Sequence, residues 1–262
     1  MKKFRALLLM TLLGLALAMP RARAVTTPLP SLDFVLQHVM QTSAAENTEF
    51  SLFKDHYSFT RQKTTEFFDS AGHLKSREDK LSTNRPVHAL VLSQPPPVAA
   101  VFTDVSQGKA VTADPPNIHG VALGKKEDLL NPDIIKRFKF TLVGREMVND
   151  RPALIVDFQP ACASLPVFNL KDRFIDSIAG RAWVDESDFT LEKVDLHLIN
   201  KFSALGGLAG DISKFNFSFV RDRTPDGFWF THSLDWHLEA REATYQRIVD
   251  HHEEIGDLQK MQ

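Results

Sequence analysis

The chain has 262 residues with ten histidines and one cysteine, and chemistry would have to sit where these meet carboxylates. Three groupings qualify: Asp195 with His197, His232 with Asp235 and His237, and the run His251-His252-Glu253-Glu254. Imidazole beside carboxylate is the material of acid–base pairs and of metal sites. The spacing argues against both. Neighbouring side chains of an extended strand point to opposite faces, so His251 and Glu253 part from His252 and Glu254. By the same parity His232 falls among Phe230, Leu234 and Trp236, while Asp235 and His237 face away. Asp195 and His197 do share a face, where a cross-strand or surface role is expected. The chain has no HExxH, no GxSxG, no phosphate-binding glycine loop and no paired-cysteine zinc spacing. Cys162, in QPACASLP, is read as a free thiol and not as a nucleophile. The expectation is a protein without catalytic residues, metal or cofactor, with a hydrolase of unmarked site as the remaining enzymatic alternative.

The apolar residues are patterned more strongly than the polar ones. Phenylalanine occurs twenty times and tyrosine twice, and a phenol wants a hydrogen-bond partner when buried, so the preference for Phe implies dry interior surfaces. Phe215, Phe217 and Phe219 share one side of a strand, as do Phe228, Phe230, Leu234, Trp236 and Leu238, and as do Val194, Leu196 and Leu198. Two readings fit such faces: a core filled by its own side chains, or an apolar cavity beneath covering helices.

The elements that must hold these faces can be read in order. Ser31 is an N-cap with Asp33 in the first turn of a helix whose Leu32, Val35, Leu36, Val39 and Met40 share a face. A second helical stretch, Ala44 to Lys54, continues it or follows a break near Ser43. Tyr57, Phe59 and Arg61 alternate into a strand that turns at Asp69-Ser70-Ala71-Gly72 and returns from Leu74 to Thr83. Short strands are expected at Val87–Leu92 and Val98–Phe102, and a helix at Lys126–Phe138. Phe138 to Phe158 reads as a complete hairpin around Asn149-Asp150, with Phe138, Phe140 and Leu142 facing Leu154, Val156 and Phe158. A short helix, Asn169–Ala179 capped by Gly180, precedes the strands Arg181–Asp185 and Thr190–Ile199. Ile212–Arg221 and Phe228–Ala240 form a hairpin around Thr224-Pro225-Asp226-Gly227, and Ala243–Leu258 is expected as a closing edge strand. The fold class is therefore mainly β: a curved antiparallel sheet or half-open β-barrel of about ten strands, with helices covering its mouth.

Lys2, Lys3 and Arg5 precede an apolar run from Ala6 to Met19, and Ala22-Arg23-Ala24 follows with small residues, the pattern of a cleaved signal peptide over residues 1–24. Such a run is short for a membrane span, a retained anchor being the alternative. Residues 25–262 are then expected as one domain, exported to the periplasm or secreted. The formal charge is −2 with the leader's five basic residues included, so the rest is more acidic still, which disfavours nucleic acid and anionic lipid surfaces as partners.

Val143-Gly144-Arg145-Glu146-Met147-Val148-Asn149-Asp150-Arg151-Pro152-Ala153, with the strand to Phe158 and Pro160, resembles the hairpin of the outer-membrane lipoprotein-sorting proteins and their LolA/LolB-like relatives. Gly180-Arg181-Ala182-Trp183-Val184-Asp185, followed by Leu191-Glu192-Lys193-Val194, resembles a later strand pair of the same family. Asn84-Arg85-Pro86-Val87 lacks the aromatics of the family's early arginine-containing segment, so no functional arginine is carried over. The resemblance implies a half-closed barrel with a helical lid, a soluble carrier that takes a lipid or the acyl chains of a lipoprotein into an apolar cavity. The alternative is a regulatory module that binds an envelope protein on the same fold. Phe140, Val156, Trp183, Leu196, Phe217, Phe230 and Trp236 are the expected interior, ligand-facing residues.

Overall fold

The computed structural model describes residues 28–86, 117–118, 121–122, 135–161, 170–204, 210–242 and 245–261. The signal peptide expected over residues 1–24, Cys162, the strands expected between Val87 and Phe102 and the helix expected from Lys126, as far as residue 134, lie outside these residues. All the elements belong to the unit Ser31–Gln262.

The first helix, α1 (Leu32–His56), runs without interruption for 25 residues. Nothing breaks it near Ser43, because the stretch contains neither glycine nor proline and Ala44 and Ala45 are strong helix formers. The Ser31 hydroxyl accepts a hydrogen bond from the Phe34 amide at 3.3 Å, Asp33 sits in the first turn, and Lys54 and His56 occupy the last, each favourable to the helix dipole. At its end Tyr57 turns extended and the first strand begins.

The strands are β1 (Tyr57–Phe68), β2 (Leu74–Asn84), a small separate ladder of β3 (Asn117–Ile118) and β4 (Val121–Ala122), then β5 (Phe138–Val148) and β6 (Arg151–Pro160). A short helix α2 (Leu170–Ile175) precedes β7 (Ile178–Asp185), β8 (Leu191–Leu198), β9 (Phe202–Ala204), β10 (Gly210–Arg223), β11 (Trp229–Glu242) and β12 (Tyr245–Lys260). Ten strands form one sheet in the order β2-β1-β12-β11-β10-β8-β7-β6-β5, with β9 beside β10. Every recorded pairing in it is antiparallel. Among the described residues the sheet does not close, and β2 and β5 are its edges. It does curl: Asn149 Nδ2, at the tip of the β5–β6 hairpin, donates to Asp222 Oδ1 of β10 at 2.7 Å. Three strand spacings, about 14 Å, separate β6 from β10 along the sheet, so only strong curvature brings them together.

Three local expectations change. β12 is an interior strand between β1 and β11, not a closing edge; it reads as polar because one of its faces carries His252 and Glu254. β7 starts at Ile178, which pairs with Leu198, so α2 stops at Ile175 and Gly180 lies inside the strand instead of capping a helix. The glycine is required there by proximity. A Cβ at residue 180 would lie 2.6 Å from the Phe158 ring and 2.9 Å from Leu196 Cα, and closer still to the Asp195 carbonyl oxygen. Gly180→Ala is accordingly expected to lower stability by about 1–3 kcal/mol through overpacking, read as a shift of the urea midpoint; an unchanged midpoint would show that Phe158 and β8 yield freely.

The β5–β6 turn takes the expected form. Asn149 and Asp150 have φ of 46° and 63°, the positive pair that a two-residue turn of this kind demands and that Asn and Asp tolerate best. The inward faces pack in three clusters. Val35 and Val39 of α1 sit on Leu154, Val156 and Val184. Phe53, at the other end of α1, packs with Tyr57, Phe59, Phe230 and Ile255. Phe174 of α2 closes a third with Phe202, Phe215 and Leu238.

Candidate functional site

Between its two buried ends α1 is lifted: from Gln41 to Leu52 none of its described side chains is buried, whereas Val35 and Phe53 are wholly so. A helix of 25 residues is roughly 37 Å long, so it forms a beam across the concave sheet. Beneath its N-terminal half lies an apolar cavity of about 160 Å³. Val35, Leu36, Val39 and Met40 form its roof, and the floor runs from Phe140 and Val156 through Ala182 and Val194 to Phe217 and Phe219. Val39 and Met40 follow Val35 and Leu36 by four residues, one helical turn, which turns both pairs onto the same face. Such a lining offers an apolar group van der Waals contact and no hydrogen bonds.

Of the expected interior residues, Phe140, Val156, Leu196 and Phe217 line this cavity. Phe230 instead stacks on Phe53, ring centroids 4.9 Å apart and planes 1° from parallel. Trp236 lies on the concave face one strand beyond Phe217 and stacks on His251 at 5.1 Å. Trp183 is on the opposite face. It pairs with Ile155 and packs with Ala153 and Ile155, its indole donates to Glu146 Oε2 at 2.9 Å, and Lys193 Nζ stands 4.3 Å from its ring centre. Strand parity explains the correction, because Val184 and Ala182, the neighbours of Trp183, take the inward positions and only small side chains there leave a space under α1.

The concave face changes character beyond Leu234. In successive register, Phe219 meets Leu234, Leu234 meets Glu253, and Glu253 meets Lys63. Lys63 Nζ lies 2.7 Å from Glu253 Oε2 and Arg61 Nε 3.2 Å from Oε1, with the Arg61 and Glu253 side chains about nine-tenths buried. Burial works to raise the Glu253 carboxyl, but His251, Lys63 and Arg61 outweigh it and hold it at about 2. Lys63 carries no signal of its own in the sequence beyond continuing, with Arg61 and Thr65, the inward parity of Tyr57 and Phe59.

The far end of the curl is closed by a polar plug. Asp185, fully buried, accepts from Arg151 Nε and Nη2 at 2.6 and 3.0 Å and from the amides of Ser187 and Asp188 at 2.9 and 2.7 Å. Burial opposes its ionisation, and those four donors still hold the carboxyl below the usual range. Trp229 Nε1 and Arg223 both reach Asp188 Oδ2, at 3.1 and 3.0 Å. Beside them Glu192 is buried with neither carboxylate oxygen hydrogen-bonded.

On the convex face a trough of about 530 Å³ crosses β8, β10, β11, β12 and β1. Here the histidines that parity seemed to scatter come together from different strands. His252 stands between Asp235 Oδ1 at 2.6 Å and Glu254 Oε2 at 3.7 Å, and His237 between Asp250 and Glu239, the latter at 3.1 Å. A shift of pairing register around His232 turns it to Asp222 at 3.4 Å and Glu254 at 3.7 Å, not into the apolar row expected for it. Asp195 and His197 line the same trough, their cross-strand partners being Ser218 and Asn216. The Asp235 carboxylate beside His252 raises its imidazolium above the ordinary value. Among the described residues no group of His, Cys, Asp and Glu is arranged to hold a metal ion. No described helix is long and apolar enough to cross a membrane.

No family model matches the sequence, and no curated protein matches it. Among solved structures, one named as an outer membrane lipoprotein-sorting protein domain from Vibrio parahaemolyticus is similar at 10% identity and a TM-score of 0.34, covering 86% of this chain and 92% of that one. A LolA superfamily protein from Nitrosomonas europaea is similar at 12% identity and 0.31, over 89% and 95% of the two chains. A DUF1329 family protein from Desulfovibrio piger gives 12% and 0.31, over 87% and 92%. Similarity of this size says nothing of what the present chain binds. What stands is an open, curled antiparallel sheet spanned by a helix, similar to solved proteins named for lipoprotein sorting and the LolA superfamily.

Proposed function

We propose that this chain is a non-enzymatic periplasmic carrier, delivered by cleavage of a leader over residues 1–24, that shelters a lipid or lipoprotein acyl chain in the cavity beneath α1. The observation that carries the reading is the apolar space of about 160 Å³ between the roof at Val35–Met40 and the floor at Ala182. A protein with no use for that space would fill it, because interiors close-pack and voids cost stability. Binding would draw on apolar burial at about 25 cal/mol per Å².

Filling the space tests it. In a titration with a fluorescent fatty acid, Ala182→Phe is expected to weaken uptake at least tenfold, since displacing about 60 Å² of apolar contact suffices for that factor. Unchanged uptake by a folded Ala182→Phe would move the ligand elsewhere. The protein-binding alternative draws on β2, an edge strand among the described residues whose side chains are exposed on both faces from Leu74 to Thr83, the kind of edge to which a partner's strand can add. Capture of one defined envelope protein together with no lipid uptake would favour it.

A further inference from the structure

The size of the cavity and the charge at the end of its floor narrow the ligand, on the reading that the cavity is a carrier site. A space of about 160 Å³ is close to an apolar cavity of about 150 Å³ that takes a benzene ring, and below the roughly 300 Å³ at which sites for larger ligands begin. It accepts part of one tail, not two or three side by side.

From that space the concave floor runs on through Leu234, in strict register, to Glu253 and then Lys63. Lys63 is three strand spacings from Phe219, about 14 Å. A filled core has no reason to place Arg61, Lys63 and Glu253 on this inward face, because replacing such a buried group by apolar side chains is commonly neutral or stabilising. Two cationic side chains share the Glu253 carboxylate here, and the Lys63 side chain keeps about one-fifth of its surface open. An ammonium so placed has donors to turn toward a second oxyanion, and an anion bridging Lys63 and Arg61 would gain charge-assisted hydrogen bonds in a poorly hydrated setting. Trp236, stacked on His251 along the adjacent row, gives the intervening stretch an apolar surface for the chain to cross.

We propose that the ligand is a single-tailed anionic amphiphile, its tail under Val35 and Val39 and its carboxylate or phosphate head received by Lys63 beside Arg61.

The test is calorimetric titration of the mature chain with decanoate, decyl phosphate and decanol, each below its micelle concentration, repeated on Lys63→Met, Lys63→Gln and Lys63→Arg. The wild type is expected to bind at least one of the two anions about tenfold more tightly than decanol, the worth of one charge-assisted hydrogen bond. Lys63→Met should erase that preference and Lys63→Arg retain it; Lys63→Gln, similar in length and able to hydrogen-bond, stands in if the methionine variant does not fold. Whichever anion binds more tightly tells a carboxylate ligand from a phosphate one. Equal binding of all three compounds overturns the headgroup assignment and leaves the carrier reading standing. A preference that survives loss of the Lys63 charge overturns the placement of the head. No binding of any of them overturns the carrier reading itself, and this inference with it.

Discussion

Phe53→Ala is expected to lower the stability of the chain by about 3–5 kcal/mol, the cost of truncating a fully buried aromatic side chain. Phe53 is wholly inaccessible, and its ring lies 5.3, 5.2 and 4.9 Å from those of Tyr57, Phe59 and Phe230. Those three rings stand on β1 and β11, so Phe53 is the contact that seats the C-terminal end of α1. No described residue between Gln41 and Leu52 is buried, and in that span the half-buried Phe50 packs on the same cluster. The variant should therefore lose more than a cavity's worth: amides in the second half of α1 should exchange faster while those around Val35 and Val39 stay protected. Urea unfolding with hydrogen exchange reads both. A loss below about 1 kcal/mol, or uniform loss of protection along α1, would show that the helix is not held separately at its two ends.

The second large effect concerns pH. Burial pushes the Glu192 carboxyl up to about 7, with Asp185 adding to the rise and Arg151 opposing it. An acid whose folded pKa is raised binds its proton more tightly in the folded than in the unfolded chain. Its contribution is neutral below the unfolded value of about 4.5, becomes increasingly destabilising as pH rises toward 7, and is constant above. A shift of that size corresponds to about 3 kcal/mol. Glu192→Gln should thus be near parity with the wild type at pH 4 and more stable by up to about 3 kcal/mol at pH 8. The difference between the two chains isolates Glu192 from the other titrating carboxylates. A difference independent of pH would mean that Glu192 binds its proton equally well in the folded and unfolded chains.

Much of this architecture was legible because it rests on local chemistry. The alternation of Phe138, Phe140 and Leu142 against Leu154, Val156 and Phe158, with Asn149 and Asp150 between, determines a hairpin and its turn without reference to the rest of the chain. The face of Leu32, Val35, Leu36, Val39 and Met40 likewise announces a helix lying on something apolar, and four of those five line the cavity. What could not be read depends on pairing between distant strands. Nothing local places β12 between β1 and β11, since its partners lie near residue 60 and in the preceding hairpin. The irregular pairing at His232 is likewise a property of two strands together, and it alone turns that side chain out of the apolar row. Trp183 was misplaced for another reason. It is grouped with the expected interior residues, whereas the space under α1 exists because its neighbours Ala182 and Val184 are small and point there. Arg61 and Lys63 continue the parity of Tyr57 and Phe59, but nothing local tells charge on the wall of a binding site from charge on an ordinary strand face.

The most direct test of the carrier reading is native mass spectrometry of the chain isolated from the compartment in which it accumulates, followed by solvent extraction. The account predicts a population heavier than the bare chain by one single-tailed anionic species, released on extraction and absent from Ala182→Phe isolated in the same way. A chain found only at its own mass, and unable to take up an added fatty acid, would contradict it and leave the space beneath α1 as a packing defect of the core.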